Sequence, residues 1–284
     1  MPLVTSGELL QAADAGGYAV GAFNCNNLEI LQAILAAAEA ERAPVIVQTS
    51  QGALQYAGLS LLAAMIRTAA EEASVPVALH LDHGTDFAVE ISCLRAGYTS
   101  LMYDGSKHPY AENVAGTRRI VEIAHAVGVS VEGELGTISG TEDLVSVSEQ
   151  EAFYTDPAQA AAFVEETGVD ALAVAVGTAH GVYRQAPHLD FQRLAAIDRQ
   201  VKVPLVLHGS SGVPDDQIRE AVRLGVRKIN IDTELRQSFS STLRSWLPEH
   251  AGEIDPRKIL GPARAAMQAK VQEKIRLFGS AGRA

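Results

Sequence analysis

The chain has 284 residues, of which 47% are hydrophobic and 20% charged, so it can bury a sizeable core and is not expected to be disordered. Lys and Arg number 23 and Asp and Glu number 34, which gives a formal net charge of −11. Because nucleic-acid binding needs clustered cations and the chain has no basic stripe, nucleic acid is disfavoured as the principal partner and none is expected.

The cellular compartment is predicted from three features of the sequence: its first residues, its longest apolar runs and its cysteines. Residues 1–6 contain no basic segment followed by an apolar run, so no signal peptide is predicted. Apolar runs such as 171–176 are far shorter than the ~18 residues of a membrane span. Cys25 and Cys93 make no disulfide framework and fit a reducing environment. We therefore expect a cytoplasmic protein with no membrane partner.

Short apolar runs alternate with longer amphipathic segments along most of the chain. Several of the short runs are nearly all apolar, which is typical of parallel strands buried on both faces. The predicted strands are 18–23, 45–49, 77–81, 100–103, 129–134, 171–176, 205–208 and 227–231. The predicted helices include 28–40, 61–73, 113–126, 157–166 and 215–224, with a further helical stretch at 263–277.

This alternation predicts an α/β fold of the TIM (β/α)8 barrel type with an additional C-terminal helix. The main alternative is a doubly wound parallel sheet, which usually has a G-x-G-x-x-G turn after its first strand, where this chain has FNCNN at 23–27. No linker or low-complexity segment divides the chain, so residues 1–284 are predicted to form one barrel domain. The longest irregular segment, 136–148, is either a functional lid or a tolerated surface insertion.

Three of the eight histidines lie where predicted strands end, which is where a barrel gathers its catalytic groups. His83 closes the third strand, His180 follows the sixth and His208 ends the seventh, and glycine follows each of them. Three imidazoles leave one position open on tetrahedral Zn²⁺, the pattern of a catalytic site, although any one of them alone could be a hydrogen-bonded barrel histidine. His80 shares the strand face of Asp82 and is predicted to point inward.

Acidic side chains are also predicted to face the mouth of the barrel. Asp82, beside His83, suits a general acid/base, while Glu132 and Glu134 share one face of the fifth strand and Asp104 ends the fourth. Because a buried carboxylate must be paired, a structural network with Lys or Arg is the alternative interpretation. The turns GSSG at 209–212 and NIDT at 230–233 follow strands seven and eight, the recurrent phosphate site of this fold.

A family resemblance runs nearly end to end. GAFN at 21–24, HLDHG at 80–84, EGELG at 132–136, GTAHG at 177–181, LHG at 207–209, KINIDT at 228–233 and LFGSAGRA at 277–284 occur in this order. Together they resemble the class II, metal-dependent ketose-bisphosphate aldolases, the group that holds fructose-bisphosphate and tagatose-bisphosphate aldolases. The resemblance implies a carbon–carbon lyase of carbohydrate metabolism, including glycolysis, built on a TIM barrel with Zn²⁺ on His83, His180 and His208.

The same resemblance implies roles for further residues. Asp82 would act as the acid/base at the C4 hydroxyl, and Glu142 would exchange a proton with C3 of dihydroxyacetone phosphate. Asp104 and Glu134 match an alternative metal position. The residues that match or are predicted to join the substrate site are Asn24, Ser50, Gly181, Gly209, Ser211, Asn230, Asp232, Thr233 and Arg236.

The resemblance also narrows the substrate and the partners. Asp232 is typical of the fructose branch, whereas tagatose enzymes tend to carry a small residue, so fructose 1,6-bisphosphate is favoured and tagatose 1,6-bisphosphate is the alternative. Arg236 or Arg283 is the candidate for the C6 phosphate. Family members often use a monovalent cation, Na⁺ or K⁺, at the ketose phosphate. They are usually dimers or tetramers, so a homodimer or homotetramer is expected.

Two other interpretations of the same residues stay open. Lys228 on the eighth strand is the candidate nucleophile of a Schiff-base aldolase, although three histidines and a carboxylate would then have no purpose. A non-catalytic chain that keeps the fold would be expected to have lost Asp82 or a metal ligand, and the sequence retains all of them.

Overall fold

The computed structural model describes residues 3–142, 145–147, 153–183 and 187–284. The strands are β1 (Val20–Asn24), β2 (Val45–Ser50), β3 (Val77–Gly84), β4 (Ser100–Tyr103), β5 (Ser130–Leu135), β6 (Ser139–Glu142), β7 (Val145–Val147), β8 (Ala171–Val174), β9 (Ala179–His180), β10 (Leu205–Leu207) and β11 (Val226–Ile231). Eight of them, all but β6, β7 and β9, pair in parallel and close into a barrel in which β11 returns to β1. The predicted TIM barrel is confirmed.

Most of the helices connect the barrel strands along its outer surface, while the first helix precedes the first strand and the last two helices follow the last strand. In the described residues they are α1 (Ser6–Gly16), α2 (Leu28–Glu41), α3 (Gln51–Ala57), α4 (Leu59–Glu72), α5 (Phe87–Ala96), α6 (Tyr110–Ala126), α7 (Pro157–Thr167), α8 (Phe191–Asp198), α9 (Asp215–Arg223), α10 (Thr233–Glu249) and α11 (Pro256–Phe278). The C-terminal helix thus begins earlier than the predicted 263. Pro262 stands inside it, where a proline usually ends a helix, and Asp255 caps the true start by accepting from the Arg257 N–H at 3.0 Å.

The segment 136–148 is not irregular, as the sequence suggested, because its described part contains two strands. β6 pairs antiparallel with β7 and parallel with β9, which forms a small sheet beside the barrel. Residues 143, 144 and 148 lie outside the described part of the chain. The prediction failed because the Ser-Gly-Thr composition of β6 has no apolar alternation, while one of its partner strands lies far along the sequence.

The interior of the barrel has an apolar layer at the amino ends of the strands. Helix α1 closes this end, with Leu9, Leu10 and Ala13 packed against inward side chains such as Val20 and Ile46. The helix is held by the hydroxyl pair Ser6 and Ser100, whose oxygens lie 2.6 Å apart, and begins with a capping box of Thr5 and Glu8. The buried charged side chains inside the barrel lie above this apolar layer, towards the carboxyl ends of the strands.

A larger apolar core lies between the strands and the outer helices, and it contains residues from α11 such as Met267, Val271 and Phe278. Helix α11 packs against α2 and α10. The carbonyl of Phe278, the last residue of α11, accepts from the Ala19 N–H at 3.0 Å. Within the described residues, no helix combines the length and the hydropathy that a membrane crossing requires.

Candidate active site

Three imidazoles meet at the carboxyl end of the barrel. His208 Nδ1 lies 3.0 Å from His83 Nε2, and one nitrogen each of His83, His180 and His208 lies within 4.8 Å of the others. All three residues are buried. Zn–N bonds of about 2.0–2.1 Å at tetrahedral angles place two ligand nitrogens about 3.3 Å apart. The donor type and the spacing therefore fit one Zn²⁺ ion with a free fourth position.

His83 reaches this site through an irregular backbone. Successive side chains of a strand point to opposite faces, so Asp82 and His83 would ordinarily not share a site. The pairing of β3 with β4 shifts register between Leu81 and Gly84, and His83 has a φ of 49°, in the left-handed region that side chains with a Cβ rarely adopt. The bulge turns His83 to the same side as Asp82. Backbone strain of this kind concentrates at functional sites.

Two buried carboxylates orient two of the three imidazoles. Asp104 Oδ2 accepts from His83 Nδ1 at 2.9 Å, and Glu132 Oε1 accepts from His208 Nε2 at 2.8 Å. The remaining nitrogens, Nε2 of His83 and Nδ1 of His208, consequently face each other across the metal position. Metal-binding histidines nearly always have such a partner on their other nitrogen, because it selects the tautomer and raises ligand basicity.

The charge of Glu132 is balanced inside the barrel by a lysine. Lys228 Nζ lies 2.8 Å from Glu132 Oε2, and both side chains are buried. Burial would raise the pKa of Glu132, but the Lys228 ammonium and the His208 hydrogen bond outweigh it and hold that pKa below its usual range. On the amino-end side of this pair, His80 Nε2 lies 3.4 Å from Lys228 Nζ. The other ring nitrogen of His80, Nδ1, forms a hydrogen bond of 2.7 Å with Ser100 Oγ. Lys228 is thus engaged as a counter-ion, which does not support a Schiff-base role.

A second group of ligands lies beside His83. Asp104 and Glu134 each place a carboxylate oxygen within metal-binding reach of this histidine, and Glu134 Oε2 is 3.9 Å from its Nδ1. Burial and the neighbouring Asp104 charge raise the pKa of Glu134 well above its usual value. Among the described residues, Glu134 Oε2 has no hydrogen-bond partner. A cation here would satisfy this oxygen and offset both charges, so these residues fit an alternative metal position.

Three side-chain amides hold the carboxylate of Asp82, which is fully buried. Asn24 Nδ2 and Gln48 Nε2 donate to its Oδ2 at 3.1 and 3.0 Å, and Asn230 Nδ2 donates to its Oδ1 at 3.1 Å. Asn230 Nδ2 also lies 3.2 Å from His208 Nδ1, so Asp82 and the imidazoles share one site. Gln48 was not predicted as a site residue, although a polar residue in the apolar run VIVQTS is a signal for one.

The loops that follow β8, β10 and β11 meet at one side of this site. Tyr183 Oη accepts from the Ala179 N–H at 2.6 Å and donates to the Gly209 carbonyl at 2.7 Å, and burial raises its pKa to about 12. Gly209 has a φ of 60°, and a Cβ there would lie 2.6 Å from the Ala179 carbonyl oxygen. Tyr183, which the sequence did not single out, therefore joins the segment of His180 to that of His208.

The turn after β10 also contacts the first turn of α10. Ser211 Oγ accepts from the Glu234 N–H at 3.3 Å, and Glu234 Oε1 accepts from the Gly212 N–H at 2.5 Å. The structure thus brings Ser211 next to Thr233, the first residue of α10. Gly181 directly follows His180 on the adjoining segment.

Glu142 is the last residue of β6, and β6 lies next to the segment of His180, one of the three predicted metal ligands. Gly140 of β6 is in register with His180 of β9, two residues before Glu142. This parallel pairing brings the backbone of the predicted proton donor to the rim of the site.

The comparison with known proteins agrees with this geometry. The model of the class-II fructose-bisphosphate aldolase family matches residues 4–283. The chain belongs to this family. Fructose-bisphosphate aldolase of Thermus caldophilus is 47% identical over 305 aligned residues, which cover 99% of this chain and all of that protein. The family resemblance seen in the sequence is confirmed, and the chain is a member of a family of lyases.

Solved structures of aldolases superpose on this class II aldolase over almost the whole chain. The crystal structure of the YdjI aldolase from Escherichia coli K12 has a TM-score of 0.89 at 36% identity and covers 99% of both chains. The crystal structure of fructose-bisphosphate aldolase from Campylobacter jejuni has a TM-score of 0.85 at 24% identity, covers 100% of this chain and 97% of its own, and shares the fold.

The remaining predicted substrate residues of this class II aldolase lie on the side of β1 and β2. Ser50 ends β2 in register with Asp82, and Asp232 follows β11 and accepts from Arg236 Nε at 2.7 Å. Arg236 also lines a cavity of about 730 Å³ whose other walls include Asn26, Asn27, Gly52, Tyr56 and Phe239. The cavity has the size of a small-molecule site.

Arg283 does not join the site. Its guanidinium lies 5.4 Å above the ring of Tyr18, which precedes β1, and the neighbouring Ala284 N–H donates to the Arg42 carbonyl before β2 at 2.9 Å. These contacts belong to the amino end of the barrel, opposite the metal site. The structure therefore does not support Arg283 as the residue that binds the C6 phosphate within its own chain, because the C-terminal segment folds back beneath the barrel.

Proposed function

We propose that this chain is a zinc-dependent aldolase that reversibly cleaves fructose 1,6-bisphosphate to dihydroxyacetone phosphate and glyceraldehyde 3-phosphate. The observation that carries the proposal is the meeting of an acid/base carboxylate with three imidazoles. Asn230 Nδ2 lies 3.1 Å from Asp82 Oδ1 and 3.2 Å from His208 Nδ1, in a barrel of the class II aldolase family.

His83, His180 and His208 would hold the ion, and the carboxylates behind two of them keep the correct nitrogens available. When bound, Zn²⁺ supplies Lewis-acid stabilisation of the negative charge that develops as the C3–C4 bond breaks. His83, Asp104 and Glu134 would offer the alternative position for the ion.

Asp82 would take the proton of the C4 hydroxyl as the aldehyde carbonyl forms, and would return it in the direction of synthesis. Its three amide donors support this role because they keep the carboxylate pointed into the site without supplying a competing charge. Glu142 would protonate C3 of the three-carbon product. The pairing of β6 with β9 supports this assignment, and closure of this segment over the substrate would exclude water.

The two phosphates would bind on opposite sides of the metal site. The residues proposed for the ketose phosphate are Gly181, Gly209, Ser211, Asn230 and Thr233, with Na⁺ or K⁺ as a further counter-ion. The start of α10 supports this cradle, since helix N-termini and glycine turns present N–H groups to anions. Asn24, Ser50 and Arg236 would bind the other end of the sugar, next to the cavity that Arg236 lines.

Fructose 1,6-bisphosphate is favoured over its C4 epimer because Asp232 stands at the end of β11. The side chains at 228 and 230 share one face of β11, Asn230 of this face touches the acid/base Asp82, and Asp232 follows directly after the strand. A carboxylate at 232 can hydrogen-bond a hydroxyl in one configuration and leave the other unpaired. Tagatose 1,6-bisphosphate is the second candidate, since the two sugars would use the same mechanism.

The test is a coupled cleavage assay on both bisphosphates with the metal-stripped and the Zn²⁺-reconstituted protein. We expect turnover only with metal, and a higher kcat/KM for the fructose compound. Full activity after chelation, together with borohydride trapping of substrate on Lys228, would support a Schiff-base enzyme instead. No turnover of either sugar at saturating Zn²⁺ would support a non-catalytic chain.

We also propose that the chain acts in the cytoplasm as a homodimer or homotetramer. The apolar positions at 263–277 are a sequence-based candidate for this interface, but Met267, Val271 and Ile275 among them pack inside the chain and are not available to a partner. Tyr56 of α3 and Leu61 of α4 are 78% and 70% exposed, and we propose them as candidates for the subunit contact. Light scattering coupled to size-exclusion chromatography measures the number of subunits.

A further inference from the structure

A buried ion pair lies behind the turn that follows β10. Lys274 of α11 places its Nζ 2.6 Å from Glu234 Oε2, and the two side chains are only 5% and 18% exposed. The other oxygen of this carboxylate, Oε1, accepts from the Gly212 N–H at 2.5 Å. A single chain of contacts therefore runs from the C-terminal helix through Glu234 to the glycine turn.

Glu234 holds the turn from two directions. Its backbone N–H donates to Ser211 Oγ at 3.3 Å while its side chain accepts from Gly212. Gly212 has a φ of 87°, so the turn has a left-handed geometry that only a few residue types adopt without strain. These contacts set the relative position of Ser211 and Thr233, which belong to the proposed phosphate cradle.

The negative charge of Glu234 is unfavourable for phosphate binding, because the phosphate is a second anion that is expected to bind close to this carboxylate. A phosphate beside Thr233 and Ser211 would meet the charge of Glu234 in a partly desolvated place, where repulsion between like charges is strong. Lys274 supplies the opposite charge at 2.6 Å and removes this conflict. Because the Lys274 ammonium is buried beneath the turn, salt screens its charge less than it would screen the charge of a solvent-exposed lysine.

We propose that Lys274 is a positioning residue for phosphate binding: it neutralises Glu234 and thereby lets this carboxylate hold the Ser211–Gly212 turn without repelling the phosphate. The inference rests on the proposed function, since the ligand of this turn is taken to be the phosphate of dihydroxyacetone phosphate. Lys274 itself touches Glu234 and has no part in bond cleavage.

The test measures the Kd of dihydroxyacetone phosphate by calorimetry, with KM and kcat of the Zn²⁺-loaded enzyme in parallel. We expect Lys274→Met to raise Kd and KM about tenfold, because the unpaired carboxylate repels the phosphate, while kcat changes less than about twofold. Lys274→Arg keeps the charge and is expected to stay close to wild type. The double variant Lys274→Met/Glu234→Gln removes both charges but keeps an acceptor for Gly212, and is expected to recover most of the affinity.

The matched control is Lys270→Met on the same helix, since Lys270 forms a pair with Glu273 at 2.7 Å that is half exposed. This variant is expected to bind like wild type. Equal Kd values for Lys274→Met and wild type would overturn the inference even if fructose 1,6-bisphosphate is cleaved, and so would a double variant as weak as Lys274→Met. If wild type binds dihydroxyacetone phosphate but cleaves neither sugar, the proposed function fails while a tenfold effect of Lys274→Met still supports the positioning role.

Discussion

His208 donates a hydrogen bond from Nε2 to Glu132 Oε1 over 2.8 Å. Because the Lys228 ammonium keeps Glu132 ionised, this carboxylate can only accept, so the proton of His208 must reside on Nε2. Its Nδ1 then has a lone pair directed to the position between His83 and His180. The tautomer of a proposed metal ligand thus depends on a lysine deep in the barrel.

Replacing Glu132 with Gln is expected to weaken Zn²⁺ binding by about 10–100-fold, because the imidazole of His208 becomes less basic and its tautomer is no longer imposed. A competition titration against a chelating dye measures this affinity. Glu122→Gln on α6 is the control, since that carboxylate is 70% exposed. Unchanged Zn²⁺ affinity in Glu132→Gln would show that this contact does not support the metal site.

Tyr183→Phe removes the hydroxyl that joins the Ala179 N–H to the Gly209 carbonyl. We expect a loss of about 1–3 kcal/mol in the free energy of unfolding, because two polar backbone groups lose their partner. Since these groups adjoin His180 and His208, Zn²⁺ affinity should fall as well. Denaturant unfolding measures the first effect and the same dye titration measures the second. If the variant loses stability but binds Zn²⁺ as tightly as wild type, Tyr183 supports the fold but not the metal site.

Asp232→Ala is expected to reduce the preference for fructose 1,6-bisphosphate over tagatose 1,6-bisphosphate about tenfold or more, because the carboxylate that distinguishes the C4 hydroxyls is lost. The ratio of the two kcat/KM values is the measurement. Arg236 loses its 2.7 Å contact with Asp232 in this variant, but it is proposed to bind the phosphate end that both sugars share, so this loss should lower the two kcat/KM values alike and leave their ratio unchanged. A ratio that stays at the wild-type value in Asp232→Ala contradicts the assignment of substrate.

The buried carboxyl group of Glu90 on α5 is expected to make the stability of the fold depend on pH. It is fully buried, and neither carboxylate oxygen has a hydrogen-bond partner among the described residues, so burial raises its pKa well above the usual 4.5. The protonated form therefore favours the folded state. The protonated carboxyl of Glu90 thus stabilises the folded state fully below pH 4.5, and this part of the free energy of unfolding is lost as pH rises through the folded-state pKa.

The variant Glu90→Gln cannot ionise and is expected to gain stability relative to wild type as pH increases from 4.5, by at most about 1.4 kcal/mol per pH unit. Chemical denaturation at a series of pH values measures the difference. Glu122→Gln, at a position that is 70% exposed, is the matched control for the loss of a carboxylate. A difference for Glu90→Gln that stays constant with pH would mean that Glu90 is ionised in the folded protein.

The amino-acid sequence by itself determined the barrel and the ligand types. Apolar runs at a regular spacing predict eight buried parallel strands, and parallel strands in a barrel bring their carboxyl ends to one face. From that geometry alone, His83, His180 and His208 could be placed together although they are far apart along the chain. The motif order also identified the family, since each motif marks a strand end or its following turn.

Only the tertiary structure decided how each ligand is oriented and supported. Strand alternation predicts opposite directions for Asp82 and His83, and the bulge at β3 that brings them together depends on pairing with β4. The roles of Tyr183, Glu234 and Lys274 likewise depend on contacts between segments with no local pattern. The physical reason is that hydrophobic periodicity specifies which face of an element is buried, whereas hydrogen bonds and ion pairs need atoms placed to within a few tenths of an ångström by packing across the whole chain.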